Sequence, residues 1–341
     1  MQAWVIDKIS VLTKENKPLS RKNLPKPKPK DGELLIKVKV CGVCHTELDE
    51  IEGRTPPPDF PVVPGHQVIG IVEESNVKNS KIKPGDRVGV AWIFSACGKC
   101  EFCLSDQENL CHKFIATGRD VNGGYAEYMT VPEKYAYLIP AVFSDEEAAP
   151  LMCAGAIGYR SLVLCEANNG DTIGLTGFGA SAHLVLKLIK YKYPKSKVYV
   201  FARNPKEREF ARELGADWAG DSAEQPPQQL NCIIDTTPVW KTVLAALEFL
   251  KPGGRLVINA IRKENIDDQH LKTFDYTKHL WMEKEIKSVA NVTGDDVRNF
   301  LKTASEIPIK PNVTTYPFEK ANEALLDIKN RKIRGAKILR V

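Results

Sequence analysis

The sequence predicts a two-domain α/β protein, a partly open β-barrel followed by a doubly wound parallel sheet. Three observations predict it. At 341 residues the chain is longer than one ordinary hydrophobic core organises. Residues 1–95 form a succession of short apolar runs broken by Gly and Pro, the pattern of a small barrel. From Asp171 onward strand-like and helix-like runs alternate, which implies parallel pairing with helices on both faces.

Composition narrows the class. A hydrophobic fraction of 43% and a charged fraction of 27% are those of a globular protein. The net charge of +5 is spread among Asp and Glu, without the clustered basic face that nucleic acid demands. The one dense basic run, Pro25 to Lys30, leads directly into a strand-like segment and reads as a solvated loop. No stretch approaches the ~20 apolar residues of a membrane helix, and MQAWVIDKIS lacks a signal-peptide pattern. A cytoplasmic protein that engages neither membrane nor nucleic acid is the expectation. Nine cysteines are an odd number. In a reducing compartment clustered cysteines are metal ligands more often than disulfides.

In chain order, strands are expected at 34–40, 68–74 and 87–92, with turns such as Pro84-Gly85-Asp86 between them. GGYAEYMTV at 123–131 resumes the strand pattern after a cysteine-rich lobe. Ser144 followed by three acids reads as a helix N-cap, predicting one helix from about 145 to 165. Strands follow at 172–177, 198–202, 232–237, 255–260 and 286–291, with helices at 180–192, 206–214 and 239–250 between them. NEALLDIKNRK and GAKILRV read as a closing helix and strand. The expected division is a first domain at 1–153 carrying the lobe at 97–111, a second domain at 154–291, and a return to the first at 292–341.

The lobe holds Cys97, Cys100, Cys103 and Cys111 at C-x2-C-x2-C-x7-C. That spacing brings four sulfurs to one ion, and a four-thiolate zinc site is closed and therefore structural. Cys41, Cys165 and Cys232 stand outside any motif and read as small buried hydrophobes.

The strand at 172–177 runs into Gly177-Phe178-Gly179-Ala180-Ser181-Ala182, a G-x-G-x-x-A turn opening a helix. The first glycine permits the tight turn and the second lets backbone approach a pyrophosphate, which free helix amides then receive. Nucleotide choice is read at the end of the next strand, at Ala202-Arg203-Asn204. The acid that would bind an adenosine ribose is absent there. Arg203 can meet a 2′-phosphate, so NADP(H) is favoured with NAD(H) as the alternative.

Cys44 and His66 lie on turns flanking first-domain strands, in GVCHTE and PGHQ, and Cys153 lies in LMCAGAIGYR. Two thiolates and one imidazole leave the fourth position of a tetrahedral zinc open.

These motifs, in this order and together with GGYAEY, GFGASAH and GADWAGD, carry a resemblance. Across essentially its whole length the chain resembles the zinc-dependent alcohol dehydrogenases of the medium-chain dehydrogenase/reductase superfamily. It is most similar to a bacterial and archaeal branch related to cinnamyl alcohol dehydrogenases. The resemblance implies a GroES-like barrel and a Rossmann domain, hydride transfer between a small alcohol or aldehyde and a nicotinamide cofactor, and two zinc ions per chain. By it, Cys44, His66 and Cys153 hold the catalytic zinc, the four lobe cysteines hold the structural one, and Thr46 contacts the substrate oxygen. Glu47 orients the zinc histidine from behind, His45 and Arg334 meet the pyrophosphate, and Trp92 walls the substrate pocket. Gln67 stands where the family usually has Glu, which predicts a more positive metal site. Asp49 stands where many relatives carry the last His of a proton relay; it is a candidate acceptor, though a weak base at neutral pH, with His45 or water as the alternative.

Three alternatives differ in their metal content. A polyol dehydrogenase of the superfamily would recruit a carboxylate as third protein ligand, and a zinc-free quinone reductase would lack Cys44 and His66. A non-catalytic nucleotide-binding zinc protein would keep the lobe alone. The implied assembly is a homo-oligomer, dimer or tetramer, pairing along the edge near Ile286 to Asn291.

Overall fold

Strand Glu33–Val43 is the spine of the barrel, because its Leu, Ile and Val residues bury almost its whole length. It pairs antiparallel with Val68–Ser75, Tyr128–Pro132 and Ala336–Arg340. The sheet continues outward through Val313–Pro317 on one side and through Arg87–Val90 and Ala136–Leu138 on the other. A separate hairpin joins Gln2–Ile6 to Leu19–Asn23. These coordinates are a computed structural model that describes residues 1–307, 309–330 and 335–341. They divide the chain into two units, Met1–Ala156 with Val292–Val341, and Ile157–Asn291.

Three expected elements take a different form. The apolar run at 87–92 splits into Arg87–Val90 and Ile93–Ser95. The strand expected from 123 begins only at Tyr128, because Gly123, Gly124 and Tyr125 donate instead to the carbonyls of Val63, Gly65 and Pro64. The single helix expected over 145–165 is three pieces, an α-turn at Asp145–Ala148, a 3-10 segment at Ala149–Met152 and an α-helix at Ala154–Leu164. Pro150 lacks an N–H and crowds the preceding turn, so the α-helix cannot run through it. Cys153 occupies the break, with φ −130° and ψ −79°.

In the second unit the strand order is Trp218–Gly220, Lys197–Phe201, Thr172–Thr176, Leu230–Asp235, Leu250–Ile258 and Glu285–Ser288, every pair parallel. The first strand of this sheet in sequence, Thr172–Thr176, is central, and connections wind outward from it in both directions. That arrangement opens a crevice at the carboxyl ends of Thr172–Thr176 and Leu230–Asp235. Phe201 and Phe249 stack at 5.2 Å in a core shared with Leu230, Ile233, Leu247 and Leu256. Helix Pro205–Glu213 starts as its sequence dictates, with Pro at its first position and Asn204 accepting from the Lys206 amide at 3.0 Å. Among the described residues no helix is long and apolar enough to cross a membrane.

Candidate active site

Ligand atoms of Cys44, His66 and Cys153 lie within 4.8 Å of one another, although 109 positions separate the first from the last. Each reaches that point for a local reason. Cys44 precedes helix His45–Ile51, whose third residue, Glu47, accepts the Cys44 amide proton at 2.8 Å in the manner of a capping box. The other carboxylate oxygen of Glu47 lies 2.6 Å from His66 Nδ1. One buried acid therefore holds the backbone of the first donor and the ring of the second. His66 follows Gly65, which has φ +101°. A Cβ on Gly123 would stand 2.0 Å from the Gly65 carbonyl oxygen, so the His66 turn requires a bare backbone facing it. Cys153 is exposed to the site by the helix break described above.

Burial shapes the chemistry of the trio. The adjacent Cys153 thiol holds Cys44 well below the ordinary thiol range, and the same contact pushes Cys153 well above it. Burial alone would depress His66, but Glu47 and Cys44 beside it leave its basicity well raised. A cation that displaces the thiol protons meets two thiolates and an imidazole in a dry place, which is a donor set suited to zinc with one position left over.

The lobe is the second such set. Its four sulfurs also lie within 4.8 Å of one another, and Cys97 Sγ and Cys103 Sγ are 3.9 Å apart. A tetrahedron with Zn–S bonds of ~2.3 Å has S···S edges of about 3.8 Å. Cys111 Sγ accepts amide protons from Cys97 at 3.4 Å and Lys113 at 3.3 Å. Backbone amides of Lys99 and Cys100 lower Cys97 to about 6, while burial and Cys100 raise Cys103 to about 12. Glu108, inside the lobe, accepts the Gly294 amide proton at 2.9 Å and so fastens the lobe to helix Gly294–Glu306.

At the glycine turn, Gly177 has φ +77° and a Cβ there would lie 2.8 Å from Thr236 Oγ1, so glycine is structurally required. Gly179 is different. A Cβ on it would meet nothing within 4 Å. Its bareness serves no packing inside the protein and leaves a cradle into which a ligand can come close. The helix that follows, Ala182–Lys192, has no side-chain cap at Ser181, and its His183 and Leu184 amides turn back to the Gly179 and Ser181 carbonyls at 3.4 and 3.1 Å. The Phe178 ring is buried against Phe210 at 5.8 Å, leaving its backbone to serve the turn.

Other expected residues fall into place unevenly. His45 is exposed at the first position of its helix, and Thr46 Oγ1 lies 3.6 Å from Cys44 Sγ. Asp49 is buried and paired with Arg54, which also pairs with Glu52. Gln67 is 4% exposed and lies on the bare Cα of Gly42, where a Cβ would stand 2.4 Å from its Oε1. Trp92 packs against Phe114 with ring centroids 5.5 Å apart. Ala202 and Asn204 end the strand and cap the helix, and Arg203 between them is exposed. Arg208 donates to the carbonyls of Ala202 and Arg203, so it braces this turn. Arg334 lies outside the described residues.

Sequence reasoning passed over several groups. Asp235 ends the strand beside the glycine turn, fully buried, pairing with Lys263 and accepting from Thr176 and Thr237. Its acid-then-threonine run, DTT, was the available signal. His183 is 2% exposed, and burial lowers it to about 4 from 6.5 although its Nδ1 contacts the Gly179 carbonyl at 3.1 Å. A buried neutral imidazole stabilises the fold above the unfolded pKa and loses that contribution as pH falls toward the folded one. Unfolding of the metal-free protein, followed from pH 7 to 4.5, is therefore expected to show His183-dependent destabilisation of up to ~3 kcal/mol beginning near pH 6.5. His183→Gln removes that slope; an identical slope in both proteins refutes the assignment.

The chain is similar to known proteins over nearly its whole length. Residues 30–141 match the family model described as alcohol dehydrogenase GroES-like domain, and residues 182–306 match the zinc-binding dehydrogenase model. A probable alcohol dehydrogenase, AdhA, of Mycobacterium tuberculosis is 39% identical over 99% of this chain and 97% of its own. An alcohol dehydrogenase of Geobacillus stearothermophilus is 33% identical over 98% and 99%. The solved cinnamyl alcohol dehydrogenase of Sorghum bicolor is 25% identical, with a TM-score of 0.86 covering 99% of this chain and 97% of that one. By barrel, parallel sheet and full-length likeness, the chain belongs to the zinc-binding alcohol dehydrogenase family of medium-chain dehydrogenases.

Proposed function

We propose that the protein is a zinc-dependent alcohol dehydrogenase, or aldehyde reductase in the reverse direction, acting on a small alcohol with a nicotinamide cofactor. The convergence of Cys44, His66 and Cys153 carries the reading. All three donors are S or N, with no carboxylate among them, which disfavours a polyol dehydrogenase. Their presence beside the lobe disfavours a zinc-free reductase and a scaffold with one metal.

In this reading zinc supplies a Lewis acid for an alcohol or carbonyl oxygen, and the nicotinamide accepts or gives the hydride. The chain's own groups do the rest. Cys44, His66 and Cys153 hold the metal, and Glu47 fixes the His66 ring so that its other nitrogen faces the cluster. Thr46, one helical position past His45, takes the substrate hydroxyl proton and hands it outward. Asp49 is tied to Arg54, which leaves exposed His45 or water as the outer acceptor. The turn Gly177 to Ser181, at the start of helix Ala182–Lys192, binds the pyrophosphate. Cys97, Cys100, Cys103 and Cys111 hold a second, structural zinc.

NADP(H) is the proposed cofactor. Arg203 is exposed where the ribose acid would stand, and no carboxylate replaces it in Ala202-Arg203-Asn204. Steady-state comparison of NADPH with NADH across aliphatic and aromatic aldehydes tests both function and cofactor. Arg203→Ala is expected to raise KM for NADPH roughly 10- to 100-fold, the loss of one charged hydrogen-bonding partner, and to leave NADH unchanged. A wild-type preference for NADH would refute the role of Arg203.

A reducing, cytoplasmic setting fits nine free cysteines. We also propose a homo-oligomer built along Glu285–Ser288, an exposed edge strand beside half-exposed Trp281, Met282 and Ile286.

A further inference from the structure

Among the described residues Glu50 has no hydrogen-bond partner: it is 1% exposed, and neither of its carboxylate oxygens makes a hydrogen bond to any of them. Buried carboxylates are otherwise hydrogen-bonded, paired or set against a cation, so such a group demands an account. Its place in the fold offers one. Glu50 lies three residues after Glu47 in helix His45–Ile51, so the two acids share a face, and Glu47 is already against His66. Cys44, which begins the same helix, and His66 are among the groups close enough to act on Glu50 electrostatically.

The neighbouring charges do not satisfy it. Glu47 repels it. Arg119 attracts it, but that guanidinium is a third exposed, lies 3.4 Å from Asp120 and donates to the Pro56 carbonyl at 3.3 Å. Gln67, beside His66, is neutral. Burial, and after it the Glu47 carboxylate, push the carboxyl well above the ordinary carboxylate range. Of the described positive groups acting on it, His66 is already set against Glu47 and Arg119 is engaged elsewhere, whereas the site proposed above at Cys44, His66 and Cys153 is built to take a further, compact positive charge.

Resting on that reading, we propose that Glu50 is a positioning residue of the metal centre, a buried carboxylate that strengthens binding of the cation without ligating it. It supplies from the helix side a negative charge that the Gln67 position does not. Two thiolates alone neutralise a divalent ion, so each added buried carboxylate makes the pocket more attractive to a dication and the held metal a milder acid. The more positive centre expected from Gln67 is accordingly offset.

The test is metal affinity, measured with Zn²⁺ against a chromophoric chelator and with Co²⁺ by its visible spectrum, in wild type, Glu50→Gln, Arg119→Met and Cys44→Ala. Cys44→Ala reports the lobe alone, so its subtraction isolates the second site. Glu50→Gln keeps shape and removes charge. It is expected to weaken the second site at least about 10-fold and shift its Co²⁺ bands, while metal-free thermal stability stays equal or rises. A purely structural Glu50 gives the opposite pattern, lower metal-free stability with unchanged affinity, and overturns the proposal. So does an equal loss of affinity in Arg119→Met, which would make Arg119 the partner. A wild type that binds metal only at the lobe overturns the functional reading itself, which a defect confined to Glu50→Gln does not.

Discussion

Cys44→Ala is expected to fold, to bind NADPH as the wild type does, and to lose at least about 10³-fold in kcat, with one zinc fewer per chain. The magnitude follows from the several kcal/mol that a Lewis acid contributes to the transition state, at 1.36 kcal/mol per decade. Folding is expected to survive because the Cys44 amide remains held by Glu47. The glycine turn lies in the other unit, so cofactor binding, followed by NADPH fluorescence, reads out independently. His66→Ala is expected to behave alike, since its ring is the only nitrogen in the cluster. Turnover of aldehydes at the wild-type rate by either protein would remove the proposed centre from the reaction.

The second large effect is on stability. Cys103→Ser in the lobe is expected to release its zinc and to lower Tm by roughly 10 °C, the size of a loss of several kcal/mol in a protein this long. Without the ion, residues 97–111 have little to hold them, consisting of a four-residue helix, a three-residue 3-10 turn and sulfurs that cannot all stay ionised 3.9 Å apart. The damage should spread along one route, because Glu108 within the lobe caps Gly294 of helix Gly294–Glu306. Hydrogen exchange should therefore report lost protection at 97–111 and at the start of that helix. Loss at the lobe alone would show that the Glu108 contact contributes nothing.

Chemistry was more legible in the sequence than architecture. The lobe spacing, the glycine turn and the alternation of strands and helices needed only local pattern, and family resemblance supplied the trio Cys44, His66 and Cys153. The helix break at Cys153 was hidden because a good N-cap, early acids and a long apolar run all favour one helix, and only Pro150 argues otherwise. Trp218–Gly220 is three residues long and borrows its strand character from the neighbour it joins. Helix Gly294–Glu306, with its Thr293 cap and amphipathic face, was readable and went unread. Glu50 and Asp235 escaped for another reason. An acid in a helix or at a strand end looks solvated until burial is known, and burial is a property of the whole fold.

The pairing of Ala336–Arg340 with Glu33–Val43 sets an order of events during synthesis. Lys337 lies opposite Val43 and Ile338 opposite Gly42, immediately before Cys44. The strand that delivers the first metal donor thus waits for a partner made almost 300 residues later. Ribosomes add about 5–20 residues per second, and domains generally fold as units as they emerge. Residues 157–291 are complete while the barrel still lacks its closing strand. The parallel sheet is the part able to mature first, and the barrel sheet that carries Cys44 is completed only once Ala336–Arg340 has been made.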